Sequence, residues 1–291
     1  MQILLLAFLC MTLFASNSIF CRIAIAQYDM DPLEYTFIRG VSASLVLCVI
    51  SWWHTRKKLH NHISWWRQAW RQASWPSALA LFAYMLFFSL AYVSMPAAAG
   101  TLIINATVQC TMLGWGIARG TRLTPGQTIG LTIVMVGLMA LTLPKVDTRP
   151  PLDATLLEVG VGIAWGVYSI LGREVQDAVL ATAGNFFRCV PLLIMTGGIA
   201  ALHAAAHPFA LLHACLAGTL ATGCGYIIWY LVVARMSLVS GSIIQLSVPV
   251  ITAILGAIFL NEAISLHLIL CSIGILGGIG LVTMARPHDD R

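Results

Sequence analysis

Apolar positions in this chain come in long unbroken runs, punctuated by charges and prolines. They neither alternate residue by residue nor form a stripe with a polar back. A bilayer core needs roughly 20 apolar residues per crossing helix. Runs of that order recur ten times, over residues 3–25, 33–53, 75–93, 97–118, 125–144, 154–172, 182–203, 210–233, 238–260 and 265–285. The pattern predicts an all-α integral membrane protein with ten transmembrane helices; barrel strands would alternate in polarity. The first run continues from Ile3 to about Ile25 with no basic residue before it. A signal peptide has a positive start and an apolar stretch of only about 7–15 residues, so this run reads as a first span.

Composition agrees. Of 291 residues, 59% are hydrophobic and 9% charged, against about 25% charged in an ordinary soluble domain. Mean hydropathy is +0.88. The net charge of +5 fits basic loops against an anionic leaflet and predicts no nucleic-acid partner. All eight cysteines, Cys10, Cys21, Cys48, Cys110, Cys189, Cys215, Cys224 and Cys271, lie in apolar stretches, and none forms a C-x-x-C pair. They read as small buried hydrophobes.

The short loops set an orientation, because Lys and Arg concentrate on the cytoplasmic side. With the N-terminus inside, the inner loops and tail hold Arg56, Lys57, Lys58, Arg67, Arg71, Arg119, Arg122, Arg173, Arg235, Arg286 and Arg291. The outer side holds only Arg22, Lys145 and Arg149. Both termini are therefore expected in the cytoplasm, with the chain in the inner (plasma) membrane. One inner loop, 54–74, is long. Its "HTRKKLHNH" is a solvated basic stretch, where positive charge opposes a metal cation. Its tandem "WRQAWRQA" stacks Trp66 on Trp70 and Arg67 on Arg71 at i, i+4, which predicts an interfacial helix on the headgroups.

Two arginines stand inside apolar runs. Arg39 follows "YTFI" and Arg188 follows "GNFF", about 150 residues apart. Glu34 precedes Arg39 by five residues, on a different face of a helix, so Arg39 is expected to find a partner on another helix or a backbone carbonyl. The recurrence extends further. "FASNSIFCR" (14–22) matches "WGVYSILGR" (165–173), "AGTLIINATV" (99–108) matches "SGSIIQLSVP" (240–249), and "GLMALT" (137–142) matches "GIGLVT" (278–283). The order is the same in both halves. Residues 1–148 and 149–291 thus form two five-helix repeats. Five is odd, so the second copy enters from the opposite face. Such inverted repeats characterise secondary transporters, with the substrate site between the halves.

With these residues in view, the chain resembles the drug/metabolite transporter superfamily, specifically its ten-helix EamA-like exporters, which include the YddG-type amino-acid exporters. The arginine of the second helix in each half, Arg39 and Arg188, is family-like. So is "SVPVITAILGAIFLNEAIS" (247–265), similar to the family's P…LxE…S ending of the ninth helix. The first half departs: Thr121 stands where the family often has Glu, and Val108 aligns with Pro249.

The resemblance implies a central cavity lined by helices 1, 3, 4, 6, 8 and 9. Polar and aromatic candidates there are Asn17, Asn105, Gln109, Trp165, Tyr168, Tyr226, Trp229, Tyr230 and Gln245; polar groups at such depth face the bundle interior. Tyr84 and Phe88 are expected to pack. Gly162 and Gly166 form a small-xxx-small seam beside Trp165. Arg39 and Arg188 are the charged intramembrane residues, as helix ties or carboxylate-binding forks. Glu158 is the candidate coupling group, with uniport as the alternative. No catalytic motif, metal site or cofactor site is expected. The expected function is export of a small amphipathic metabolite, such as an amino acid or related carboxylate, by alternating access in a monomer. An opine-like metallophore or a toxic compound is an alternative cargo, and a membrane enzyme or non-transporting protein an alternative class.

Overall fold

The computed structural model describes residues 2–56, 65–120, 123–142, 150–172, 175–198, 200–201, 207–233, 245 and 247–285. Among them the regular structure is entirely helical. Helix α1 is Gln2–Arg22, continuing through a π-helical turn, Ile23–Gln27. It is followed by α2 (Pro32–Arg56), α3 (Trp65–Gln72), α4 (Trp75–Ala91), α5 (Ala97–Ala118), α6 (Pro125–Thr142) and α7 (Leu152–Leu171). Then come α8 (Ala178–Leu193) with a π turn (Ile194–Gly198), and α9 (Pro208–Leu216), which passes through a π stretch (Ala217–Cys224) into α10 (Gly225–Val233). The last two are α11 (Ser247–Leu260) and α12 (Leu266–Met284).

Among the described residues, six helices are long and apolar enough to cross a membrane. Helix α4, joined to α3 at a sharp bend, and the shorter apolar helices α6, α11 and α12 complete the ten rods that the sequence predicts. Large apolar side chains point outward all around them; Ile258 and Ile273, for example, are each 65% exposed. Patches of this extent are tolerable where hydrocarbon is the solvent.

Polar side chains at the ends set the boundaries. The Asp31 carboxylate accepts from the N–H groups of Leu33 and Glu34 at 2.8 and 3.2 Å, starting α2. Ser74 caps α4 through Ser77 N–H, and Ser265 caps α12 through Leu268 N–H. Asp177 accepts from Val179 and Leu180, so α8 begins at Ala178, earlier than the 182 read from hydropathy alone. Of the ninth span, 238–260, residues 238–244 and 246 lie outside the described residues.

Glycines allow the helices to approach. A Cβ on Gly130 would stand 2.7 Å from the Gly278 carbonyl oxygen, which seats α6 on α12 as a peripheral pair. Gly162 faces Thr107 and Gly166 faces Thr111, so the expected small-residue seam is occupied by α5. A Cβ on Gly218 would run into Ser42 and the Arg39 carbonyl. The π stretch 217–224 therefore marks where the eighth span presses on α2; extra π turns of this kind re-aim a helix locally.

The two ends of the bundle are closed differently. At one end α3 lies 83° from α4. Its Ala69 is wholly buried against Gly184 of α8, while Trp66 and Trp70 face outward. The Asn185 side chain accepts from Ser74 N–H at 3.1 Å, and His54 reaches Asp177 at 2.9 Å. At the opposite end, Glu262 joins α11 to α5. Both its oxygens accept from Ala97 N–H at 3.0 and 2.9 Å, and Arg22 pairs with it at 3.5 Å.

Candidate functional site

Helix α2 carries Tyr35 and Arg39 one turn apart, hence on one face. Both are wholly buried. Arg39 Nε donates to Thr222 Oγ1 of the π stretch at 3.4 Å. Its guanidinium carbon lies 4.8 Å from the centre of the Phe88 ring and 5.5 Å from that of Tyr84. Neither Nη1 nor Nη2 has a hydrogen-bond partner among the described residues, and the Tyr35 hydroxyl has only the Cys21 thiol beside it. The hydroxyl groups of Tyr84, Tyr35 and Tyr226 lie within electrostatic range of the cation.

From Tyr84 a chain of rings crosses between the halves of the sequence. Tyr84 and Trp165 have centroids 5.0 Å apart, Trp165 and Tyr168 5.5 Å, and Trp165 and Tyr226 5.3 Å. Tyr226 also meets Phe14 at 6.0 Å and Phe186 at 6.4 Å, and Phe14 meets Trp229 at 6.2 Å. The orientation of Trp165 has a local cause. Gly162 and Gly166 lay one face of α7 on α5, which turns the neighbouring Trp165 toward α4 and α10.

Of the sequence-derived candidates, Trp165, Tyr168 and Tyr226 thus stand together, with Trp229 attached through Phe14. Asn17 is buried and its Oδ1 has no partner among the described residues. Asn105 donates to the Thr101 carbonyl of its own helix at 2.8 Å, and Gln109 is half-buried on the same helix. Gln245 is half-buried ahead of α11. Tyr230 lies on α10, and its side chain falls outside the described residues. Tyr84 and Phe88, expected to pack, carry the Arg39 cation and the first contact to Trp165. Their i, i+4 spacing, one span away from an unpaired arginine, was the available signal. Thr222 gave none.

Arg188 differs from its repeat counterpart. Its Nη2 donates to the Trp70 carbonyl at 2.8 Å, and its guanidinium carbon lies 4.6 and 5.5 Å from the Trp70 and Trp75 ring centres. It holds α3 to α8. Glu158 is wholly buried, and neither of its oxygens has a partner among the described residues. A Cβ on Gly100 would sit 2.6 Å from Glu158 Oε1 and 2.8 Å from the Tyr92 hydroxyl, so the glycine makes room for both. Tyr92 donates to Ser18 at 2.8 Å.

All eight cysteines are free, and Cys215 is exposed rather than buried. Among the described residues no three His, Cys, Asp or Glu side chains group to hold a metal.

Trp165 is half-buried and leans on three other rings. Trp165→Ala is expected to retain folded protein, with a loss below the 3–5 kcal/mol typical of a core tryptophan, and to change which compounds are carried. Thermal unfolding beside a transport profile of the purified variant checks this. A full core-type loss with unchanged preference would place Trp165 in the core.

Apolar rods of membrane-spanning length, repeated in two halves around a buried cation and a ring wall, define a multi-pass membrane transporter. The sequence profile of the EamA-like transporter family matches residues 1–143 and again 154–284, and the chain belongs to that family. It is similar to an uncharacterized protein of Pseudomonas aeruginosa, 36% identical over 287 residues covering 97% of this chain and 95% of that one. It is also similar to an uncharacterized transporter of Archaeoglobus fulgidus, 23% identical over 300 residues and 98% of each chain. A solved crystal structure with 18% identity and a TM-score of 0.62 over 96% of both chains shares the fold.

Proposed function

We propose that the protein exports a small amphipathic metabolite, an amino acid or a related carboxylate, across the inner membrane by alternating access between its two repeats, residues 1–148 and 149–291. The observation that supports this best is the composition of the Arg39 site. Phe14, Tyr84 and Phe88 come from the first repeat, and Trp165, Tyr168, Thr222 and Tyr226 from the second. A ligand seated among them touches both halves, so rocking one against the other changes the end from which it is reached. The ring wall suits an apolar body, and the buried Arg39 cation an acidic group. The excess of Lys and Arg in alternate loops supports cytoplasmic termini. Glu158, a carboxyl group removed from water, is the group best suited to couple a proton to the cycle.

The test is efflux. Proteoliposomes loaded with a mixture of amino acids and short carboxylates should lose particular members faster than protein-free vesicles. A pH gradient should alter the rate in the wild type and not in Glu158→Gln. Loss no faster than from empty vesicles for every compound would remove export from consideration.

A further inference from the structure

We infer that the two repeat-related arginines have divided their labour: Arg39 receives the carboxylate of the transported molecule as a planar fork, with the Tyr35 hydroxyl as a third donor, whereas Arg188 is a strut. This rests on the export function proposed above and names the group in that site that reads the cargo.

Arg188 is tied to protein at its Nη2, although its Nε is buried without a partner among the described residues. One of its nitrogens is bonded to the Trp70 carbonyl, and two indole rings flank its guanidinium. Arg39 occupies the equivalent place in its repeat but is equipped differently. A guanidinium has five N–H donors and stays charged in proteins. Arg39 directs Nε to Thr222, and its four Nη donors have no partner among the described residues. No carboxylate of the described residues pairs with it; the Arg ion pair found among them is Arg22 with Glu262. A buried cation with no counter-charge is costly, and the faces of Phe88 and Tyr84 offset only part of that. The Nε bond orients the fork and leaves both Nη groups, buried and unpartnered among the described residues, to be satisfied by a two-oxygen partner. Carboxylates match such a fork bidentately. Tyr35, one turn away and wholly buried, adds a hydroxyl that has the Cys21 thiol beside it and no oxygen or nitrogen partner among the described residues. One cation and one hydroxyl suit a monoanion; Arg22 on α1 is already held by Glu262 and by the carbonyls of Tyr92 and Val93.

The experiment measures binding of isovalerate, L-leucine and L-phenylalanine to purified protein, each beside its carboxamide, by calorimetry. An acid should bind and its amide should not. Arg39→Lys keeps the charge and loses the fork, so acid affinity should fall about tenfold or more, the scale of one charged hydrogen bond. Tyr35→Phe removes only a hydroxyl whose neighbour in the protein is the Cys21 thiol, a weak hydrogen-bond partner. It should fold like the wild type and still bind the acid several-fold more weakly, which keeps the test intact if Arg39→Lys does not fold. Amides bound as tightly as acids, no acid bound by the wild type, or wild-type acid affinity in the variants would overturn the assignment. Efflux from proteoliposomes of the same proteins separates the two claims. Arg39-dependent binding without flux would refute export alone, and flux indifferent to both variants would refute the carboxylate fork alone.

Discussion

Glu262→Ala should destabilise the protein by about 2–4 kcal/mol, the scale of a doubly bonded charged cap together with its ion pair, and should loosen the end of the bundle opposite α3. The carboxylate sits on the N-terminal amide of α5, where the helix dipole favours negative charge. Both its oxygens accept from Ala97 N–H, and Arg22, which also donates to the carbonyls of Tyr92 and Val93, pairs with it. The chain is built to deliver it there. Asn261, just past the end of α11, takes a left-handed conformation with φ of 54°, which asparagine tolerates better than most residues. Gly256 leaves the space, since a Cβ there would stand 3.1 Å from Glu262 Oε2. Glu262→Gln keeps an acceptor for Ala97 and should cost roughly half as much. Thermal unfolding of the three proteins in one detergent orders them. Equal stability of wild type and Glu262→Ala would mean the contact is dispensable.

Arg188→Ala should cost about 3–5 kcal/mol, one charged hydrogen bond and two cation–π contacts, and should free α3 from α8. The Trp70 carbonyl loses its donor, and the ring pair Trp70–Trp75, 6.5 Å apart, loses the cation that lies against both. Arg188→Lys should recover only part, because an ammonium cannot hold the carbonyl and lie flat on two indoles together. Limited proteolysis reads the result: cleavage in the segment 57–74 should quicken in Arg188→Ala and be intermediate in Arg188→Lys. Cleavage as slow as in the wild type would show that α3 is held by Ala69 on Gly184 and by Asn185 without help from the arginine.

Much of this architecture was legible in the sequence for a simple physical reason. Hydrocarbon requires each span to satisfy its own backbone, so long apolar runs report helices almost directly, and the register of FIR with FFR reports the repeat. Trp165 and Tyr168 were legible because aromatic and polar side chains at that depth must face the interior. The remainder depended on what faces what. Arg39 and Arg188 look alike in sequence and differ because α3, which follows only α2, closes over one of them. Asn105 resembled a cavity amide, yet its amide returns to the Thr101 carbonyl one turn back. Arg22 counted as an outer-loop charge, because nothing local to it announces Glu262, distant in sequence. The π stretch at 217–224 left no hydropathy trace, since its residues are as apolar as an ordinary span; the close pass of Gly218 over α2 is visible only in three dimensions.

The most direct test of a site between two rocking halves is the sidedness of Trp165. In a cysteine-free background carrying Trp165→Cys, a membrane-impermeant maleimide is applied to one face of oriented vesicles and then to the other. Alternating access predicts labelling from both faces, slowed by bound cargo on each. Labelling from one face alone, in the presence and absence of cargo, would contradict it.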